Sequence, residues 1–329
     1  MKHKLPSFFN KLIAGRRNLF TVSALTFLVL FCFAGDRKDQ SGQPFAGDTP
    51  DAKEPTPKNK ESQNYIKPDM VYVSGGSFTM GSNVEPEEMP QHLVNVSGFW
   101  IGKYEVTVGE FRKFMNSHTY VAEADKDGFS YVFDGKTLIY KKDSINWECD
   151  VLGKKRVNEE NHPVIHVSRN DAEAYCKWLT KESGKTYRLL TEAEWEYAAK
   201  GGPHHDNYTY SGGNDMRLVG WYAVNSGLTT HPVGQKAPNS LGVYDMSGNV
   251  WEWCSDWFGP YSDKEQTDPT GPATGTEGVL RGGAWRYYDT RTRTAARRVC
   301  LPAAYHFPRY RYNYHDGGRP LPHTPTLPQ

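Results

Sequence analysis

From about Tyr65 to about Arg319, aromatic residues and glycines are interleaved so closely that no apolar stretch keeps one period for long. That texture restricts the fold more than any other feature. The 329 residues include 9 Trp, 20 Tyr, 15 Phe and 31 Gly, yet only 37 % are hydrophobic, and the mean hydropathy is -0.70. The core must be assembled from aromatic rings carried on glycine-rich, irregular backbone, which rules out a long regular helical bundle. Segments 70–74 and 94–106 read as short strands broken by GG, SGG and NS turns, with no alternation of strand and helix. Helix starts are visible as caps. Thr107 with Glu110 precedes Phe111, Phe114 and Met115; Ser168 with Asp171 precedes Ala172, Tyr175, Cys176 and Leu179; Thr191 with Glu194 precedes Trp195 and Ala198. The expected class is α+β, with mixed short strands and a few short helices.

The N-terminal part has a different composition. Lys2, Lys4, Lys11, Arg16 and Arg17 come with no acid, and then Leu19 to Ala34 runs apolar for 16 residues. This basic-then-apolar order is that of an export signal. A run shorter than the ~20 residues that span a bilayer favours a cleaved signal over a permanent anchor. Cys32 raises a lipoprotein alternative, although the bulky Phe31 precedes it where a small residue is normally needed. Asp36 to Gln63 is rich in Asp, Lys, Pro, Ser, Gln and Gly with Phe45 as its only aromatic, too little apolar surface to offset chain entropy. The expected organisation is a signal over 1–34, a disordered linker over 35–64, one folded domain over 65–320 and a loose proline-rich tail over 321–329. The expected location is the periplasm, the cell surface or the medium, with membrane contact only through the signal or a lipid anchor.

Charge excludes one class of partner. With 39 Lys plus Arg against 38 Asp plus Glu the net charge is +1, so nothing in the balance favours nucleic acid. Once Cys32 leaves with the signal, Cys149, Cys176, Cys254 and Cys300 allow three full pairings, between which sequence does not choose. No CxxC or Cys/His cluster has zinc spacing.

Six segments then occur together in one order: MVYVSGGSFTMGS from Met70, FWIGKYEVTVGEFRKF from Phe99, NHPVIHVSRNDAEAYCKWL from Asn161, RLLTEAEWEYAAKGG from Arg188, HPVGQKAPNSLGVYDMSGNVWEWCSDW from His231 and VLRGGAW from Val279. VAEADKDGFSYVF from Val121 and the INW at Ile145 to Trp147 accompany them. The chain resembles the formylglycine-generating-enzyme, or sulfatase-modifying factor, family over essentially its whole folded region. The resemblance implies a C-type-lectin-like fold with little regular secondary structure. It does not imply one activity, because this fold hosts copper-dependent formylglycine formation, iron-dependent sulfoxide synthesis, siderophore maturation and non-enzymatic binding proteins.

The copper-dependent members place two cysteines a few residues beyond an RGGSW-like motif, and a soft thiolate pair is what Cu(I) selects. Here the corresponding stretch, Arg281 to Arg298, contains no cysteine. Ala284 replaces the family's serine, His315 stands at the asparagine of its terminal NxGFR-like motif, and Gly318 replaces the aromatic residue. These departures argue against copper and formylglycine chemistry, and no residue is assigned a catalytic role. Iron is also disfavoured. His162 and His166, read as a strand, would lie roughly 13 Å apart at ~3.3 Å per residue; His204 and His205 fall in a polar loop, and His231 precedes a proline. Calcium has better support. Asp245, Gly248, Val250 and Glu252 match the positions that hold a calcium ion in the family through side-chain oxygens and backbone carbonyls, the hard-oxygen set calcium prefers. The competing reading makes Asp245 a turn cap and buries Glu252 against an arginine. The family's other calcium loop is reduced here to Tyr222–Gly234, with only Asn225 as an obvious ligand.

Residues 281–320 hold nine Arg, no Lys, six Tyr, two His and two acids. Such rigid, large side chains are enriched at interaction hot spots. Trp251, Trp285, Arg286, Tyr287, Tyr288, Arg291, Tyr305, His306, Arg309, Tyr310, Tyr312, Tyr314 and His315 are the expected contacts to a protein or glycan ligand. Arg281, Arg293, Arg297 and Arg319 match structural family positions. The string YRYNYHDGGRP resembles the C-terminal cassettes that retroelements diversify in C-type-lectin-type proteins of this family. The expected function is a binding module with a degenerate copper position; the alternative is a metal-dependent, oxygen-using oxidoreductase. In the family motifs, Trp195, Trp251, Trp253 and Trp285 are expected to be mostly buried.

Overall fold

The computed structural model describes residue 65 and residues 67–117 and 119–303. The expected signal, linker and tail, together with Tyr305, His306, Arg309, Tyr310, Tyr312, Tyr314, His315 and Arg319, lie outside the described residues.

Each cap placed from sequence opens a helix: α1 at Val108–Ser117, α3 at Arg169–Ser183 and α4 at Glu192–Ala199. The caps act in both directions. The Glu194 amide donates to Thr191 Oγ1 at 3.2 Å, while the Thr191 amide donates to Glu194 at 2.9 Å, satisfying two donors that the first helical turn would otherwise leave open. Two shorter helices, α2 (Glu123–Asp127) and α5 (Met216–Val219), lack that signature and are not announced by the sequence.

Strands are short and fall into four small sheets. β1 (Met70–Val73) pairs antiparallel with β4 (Phe99–Gly102). β2 (Gly76–Met80) pairs antiparallel with β3 (His92–Val96), which is joined in parallel by β8 (Gln266–Thr267). β5 (Phe129–Phe133) and β6 (Ile139–Asp143) form a hairpin. β7 (Glu252–Trp257) and β10 (Arg298–Cys300) flank β9 (Gly278–Arg281). Within the expected strand segment 94–106, β3 ends at Val96 and β4 runs from Phe99 to Gly102, with Ser97 and Gly98 between them. Residues 161–167 are not a strand. Pro163 makes one isolated bridge to Thr107, and His166 adopts φ +61°, which ends any extended run.

The core follows from where these elements meet. All eight residues of α4 are buried, and the helix packs against β2, β3, β7 and β9. Val73, Phe78, Met80, Val94, Trp195 and Tyr197 form the largest buried cluster around it. A second, aromatic cluster joins α1 to α3 through Phe111, Phe114, Trp147, Tyr175 and Trp178. Burying α4 on every side forces partners onto its acids. Arg297 takes both oxygens of Glu192 at 2.6 and 2.7 Å, Lys200 reaches Glu196 at 2.6 Å, and Arg281 bonds to both Glu192 and Glu196. Arg293 grips Glu88 at 2.6 and 2.8 Å. Arg281, Arg293 and Arg297 are therefore structural, as expected. Trp195 and Trp285 are wholly buried, and Trp251 and Trp253 are buried over most of their surface, as expected. None of Cys149, Cys176, Cys254 and Cys300 is in a disulfide.

Candidate functional site

β9 delivers the chain into Gly282 and Gly283, both with left-handed backbone at φ +92° and +79°. A Cβ on Gly283 would lie 2.6 Å from Thr292 Cγ2 and 2.8 Å from the Arg291 carbonyl, so only glycine permits this turn. The turn drives Ala284 and Trp285 inward. Trp285 is wholly buried, edge-on to Phe133 with ring centroids 5.3 Å apart. It is a floor of the site and cannot touch a ligand, which corrects its expected contact role: a ring of that size gains more from filling the core than from facing water.

The next residues turn outward. Arg286 lies over the Phe133 ring at 5.2 Å and donates to the Thr137 carbonyl at 3.3 Å, tying the segment to the β5–β6 hairpin. Tyr287 is partly buried and meets Trp251 edge-on at 5.6 Å. Burial pushes its phenol up to about 12, against the pull of Arg286, Arg298 and Arg291. Tyr288 is 51 % exposed. Arg291 stands 3.9 Å from Glu85, with 37 % of its side chain exposed. The structure thus sets Trp251 against Tyr287 and brings Arg286 and Arg291 near that phenol, with Tyr288 exposed beside it. It adds Arg298, which sequence reasoning missed: burial lowers its guanidinium, and Tyr287 and Arg291 are among the charges it feels. No local sequence signal marks Arg298, because its proximity to Tyr287 arises from the return of β10.

The donor set at this turn does not fit copper. Cys300 lies beyond the turn on β10, buried, while Cys254 lies on β7 with β9 between the two strands. At ~4.8 Å per strand the two flanking backbones run roughly 10 Å apart with β9 between them, so the two cysteines are not neighbours on adjacent strands as a Cu(I) thiolate pair would require.

The loop from Asp245 to Glu252 is better matched to its expected ion. Asp245 and Asn249 hold left-handed backbone at φ +59° and +53°, and Gly248 sits at φ +93°, where a Cβ would strike the Trp221 carbonyl. This curl brings the loop to three carboxylic side chains, Asp245 and Glu105 buried and Glu252 partly so. Asp245 Oδ2 accepts from the Gly234 amide at 2.7 Å, but its Oδ1 is buried and accepts no hydrogen bond. Glu252 accepts from the Trp195 indole at 2.8 Å, and among the described residues it pairs with no arginine. Glu105, not anticipated from sequence, accepts from Asn249 Nδ2 at 2.6 Å and from the Val250 amide at 3.1 Å. Burial raises Asp245 to about 6 and Glu252 to about 7, the latter with help from Asp245. Glu105 is also raised, first by burial and then by Asp245 and Glu252. An orphaned oxygen among three mutually repelling acids fits a divalent cation. Among the described residues, no three His, Cys, Asp or Glu side chains converge enough to hold a metal by themselves. A cation here would need the Gly248 and Val250 carbonyls, as the family pattern specifies.

Asn225 does not serve the second loop as a ligand. Its Oδ1 accepts from the Tyr222 amide at 2.9 Å and its Nδ2 donates to the Gly220 carbonyl at 2.9 Å, so it closes a turn. Among the described residues, no histidine joins a group of three metal-ligating side chains. His166 is buried with Nδ1 2.9 Å from Ser130 Oγ, and His231 stacks on Trp221 at 3.7 Å. Burial, Arg156 and His231 lower His162 to about 4.

Residues 54–306 match the family described as the Sulfatase-modifying factor enzyme 1-like domain. The formylglycine-generating enzyme of Mus musculus is 37 % identical over 273 residues, 71 % of each chain. Among solved structures, Treponema denticola variable protein 1 superposes with a TM-score of 0.59 at 26 % identity, covering 75 % of this chain and 95 % of its own. PvdO from Pseudomonas aeruginosa gives 0.55 at 29 % identity, covering 71 % and 89 %.

Proposed function

The chain belongs to the sulfatase-modifying factor enzyme 1-like family, and from that premise we propose that it is an exported binding module whose copper position has degenerated. One observation carries this reading. The segment that follows the double glycine keeps its buried turn but presents Arg286, Tyr288 and Arg291 where a thiolate chemistry needs cysteines. Guanidinium and phenol groups on a fixed backbone make large contact surfaces at low entropic cost. The ligand is a protein or a glycan. Export rests on the basic start and apolar run of residues 1–34.

Calcium belongs to the same reading as a structural ion, with Asp245 and Glu252 supplying carboxylate oxygens and Gly248 and Val250 supplying carbonyls. Bound there, it would neutralise the acids and lock the loop that carries Trp251. Glu105 holds the loop in that curl through Asn249 and Val250.

A second reading, an oxygen-using oxidoreductase, is favoured by the mouse relative's name, formylglycine-generating enzyme. Elemental analysis of protein purified without chelator separates the two. Calcium without a transition metal is the expected result; stoichiometric copper or iron overturns the binding module.

A further inference from the structure

A second groove lies remote in sequence from the arginine-rich turn. It encloses about 390 Å³, with Phe99 and Ala193 among its apolar lining and Ser97, Arg188, Glu194 and Asp268 as polar groups. Gly98 also lines it, and any Cβ at Gly98 would collide with the hydroxyl of Tyr72. That approach connects the groove to the outer face of the β1–β4 sheet, where Tyr72 and Trp100 are direct cross-strand partners. Their rings lie 5.3 Å apart, tilted by 56°, and they remain 53 % and 61 % exposed. Among the described residues no element covers this face, and two large aromatic side chains paired in water are unusual there, since burying either ring is favourable.

The polar groups beside them are held before any ligand arrives. Arg188 makes a two-pronged pair with Glu194, both bonds 2.7 Å, and also donates to the Leu189 carbonyl at 3.0 Å. Asp268 takes the Ser97 amide at 2.7 Å and the Ser97 hydroxyl at 2.6 Å, and it holds left-handed backbone at φ +45°. A carboxylate oxygen retains acceptor capacity after one bond, and a guanidinium carries five donors, so the rim still offers both kinds of partner. The charge is informative. Glu194 neutralises Arg188, and Asp268 is left over, so the groove repels phosphate, sulfate and carboxylate.

From this arrangement we infer that the groove and the Tyr72–Trp100 pair form a binding site for a neutral saccharide. A sugar ring has an apolar C–H face, which an exposed aromatic ring covers, and an edge of adjacent hydroxyls that both donate and accept. Closely spaced carboxylate and guanidinium groups on rigid backbone match such an edge, and the groove has room for a short oligosaccharide. The site shares no residue with the Arg286–Arg291 surface.

Calorimetric titration of the full chain with cellotetraose, chitotetraose and maltotetraose, and with a heparin-derived tetrasaccharide as the anionic probe, tests the assignment. At least one neutral tetrasaccharide binds saturably, and the heparin fragment does not compete. Trp100→Ala and Asp268→Asn each weaken that binding at least tenfold, and Tyr72→Ala provides a second aromatic variant if either misfolds. Tyr140→Ala, which removes an exposed ring on β6, leaves it unchanged, and melting curves show each variant to be folded. Failure of every neutral probe, retention of affinity in folded Trp100→Ala and Tyr72→Ala, or preference for the heparin fragment overturns the assignment.

Discussion

Arg281 and Arg286 stand five positions apart in the same arginine-rich stretch, yet their environments are opposite. Arg281 has no exposed surface and bridges Glu192 and Glu196 under α4, whereas Arg286, partly exposed, lies over the Phe133 ring and donates to the Thr137 carbonyl. Removing one partner of a buried pair strands the other, so Arg281→Ala is expected to cost about 3–5 kcal/mol in urea unfolding, and Arg286→Ala well under 1 kcal/mol. Trp195→Ala should cost a similar 3–5 kcal/mol, because it empties a wholly buried ring position and frees the Glu252 carboxylate. His162 gives a pH test. Its folded value of about 4 lies below the ordinary value of 6.5, so the fold favours the neutral ring. The stability this contributes is complete above pH ~6.5 and is lost as pH falls toward ~4, where the unfolded chain is protonated first. His162→Gln should therefore flatten the fall of the melting temperature between pH 6.5 and 4; an unchanged slope would show that other groups carry it.

At the scale of elements, local chemistry was the readable part. The boxes at Thr107, Ser168 and Thr191 announced α1, α3 and α4 because a cap is a contact between residues three apart. What stayed hidden depends on distance along the chain. Glu105 meets Asn249 across 144 positions, and no periodicity in either segment anticipates that bond. The same holds for Arg298 beside Tyr287, and for Trp285, whose burial depends on Phe133 arriving from a separate hairpin. The loop around Asp245 was legible as a candidate calcium site only through the family pattern, yet its physics makes a test of its own. In the ion-free protein Asp245 and Glu252, at about 6 and 7, disfavour charge in the fold, so their contribution to stability is present below their unfolded values and is lost as pH rises through 6 to 7. A cation binding the deprotonated groups reverses that loss. Calcium at a hundredfold excess over its dissociation constant should add ~2.7 kcal/mol at pH 8. The gain should be smaller at pH 5, and Asp245→Asn should reduce it at pH 8. Equal melting temperatures with calcium and with chelator at pH 8 would remove the ion from the account.

At the scale of the whole molecule, the motifs that identify the family are the ones that build its frame: TEAEWEYAAK is α4 with its cap, VLRGG is β9 with its glycine turn, and GNVWEW leads into β7. Retention of the frame therefore carries no information about retained chemistry, and the sharpest prediction concerns that separation. The chain should not convert the cysteine of a CxPxR peptide to formylglycine. As the family performs it, that oxidation needs two thiolates to hold Cu(I) beside the substrate thiol, because one sulfur gives neither the linear grip nor the position. The turn from Arg281 to Arg298 offers Arg, Tyr, Asp and Thr in their place. Cys300 follows on β10, and the nearest strand-borne cysteine, Cys254, is kept from it by β9, in a buried setting that raises its thiol well above the ordinary value. Bringing the two together would require β10 or β7 to leave β9, which breaks the sheet that seats Arg281 under α4. Incubation of the purified protein with the peptide, Cu(I) and a reductant, followed by mass spectrometry for the aldehyde, should give none. Aldehyde formation that Cys300→Ala abolishes would mean that the sheet opens to pair those thiols, and the binding module would then have to be given up for an oxidase with a displaced copper site.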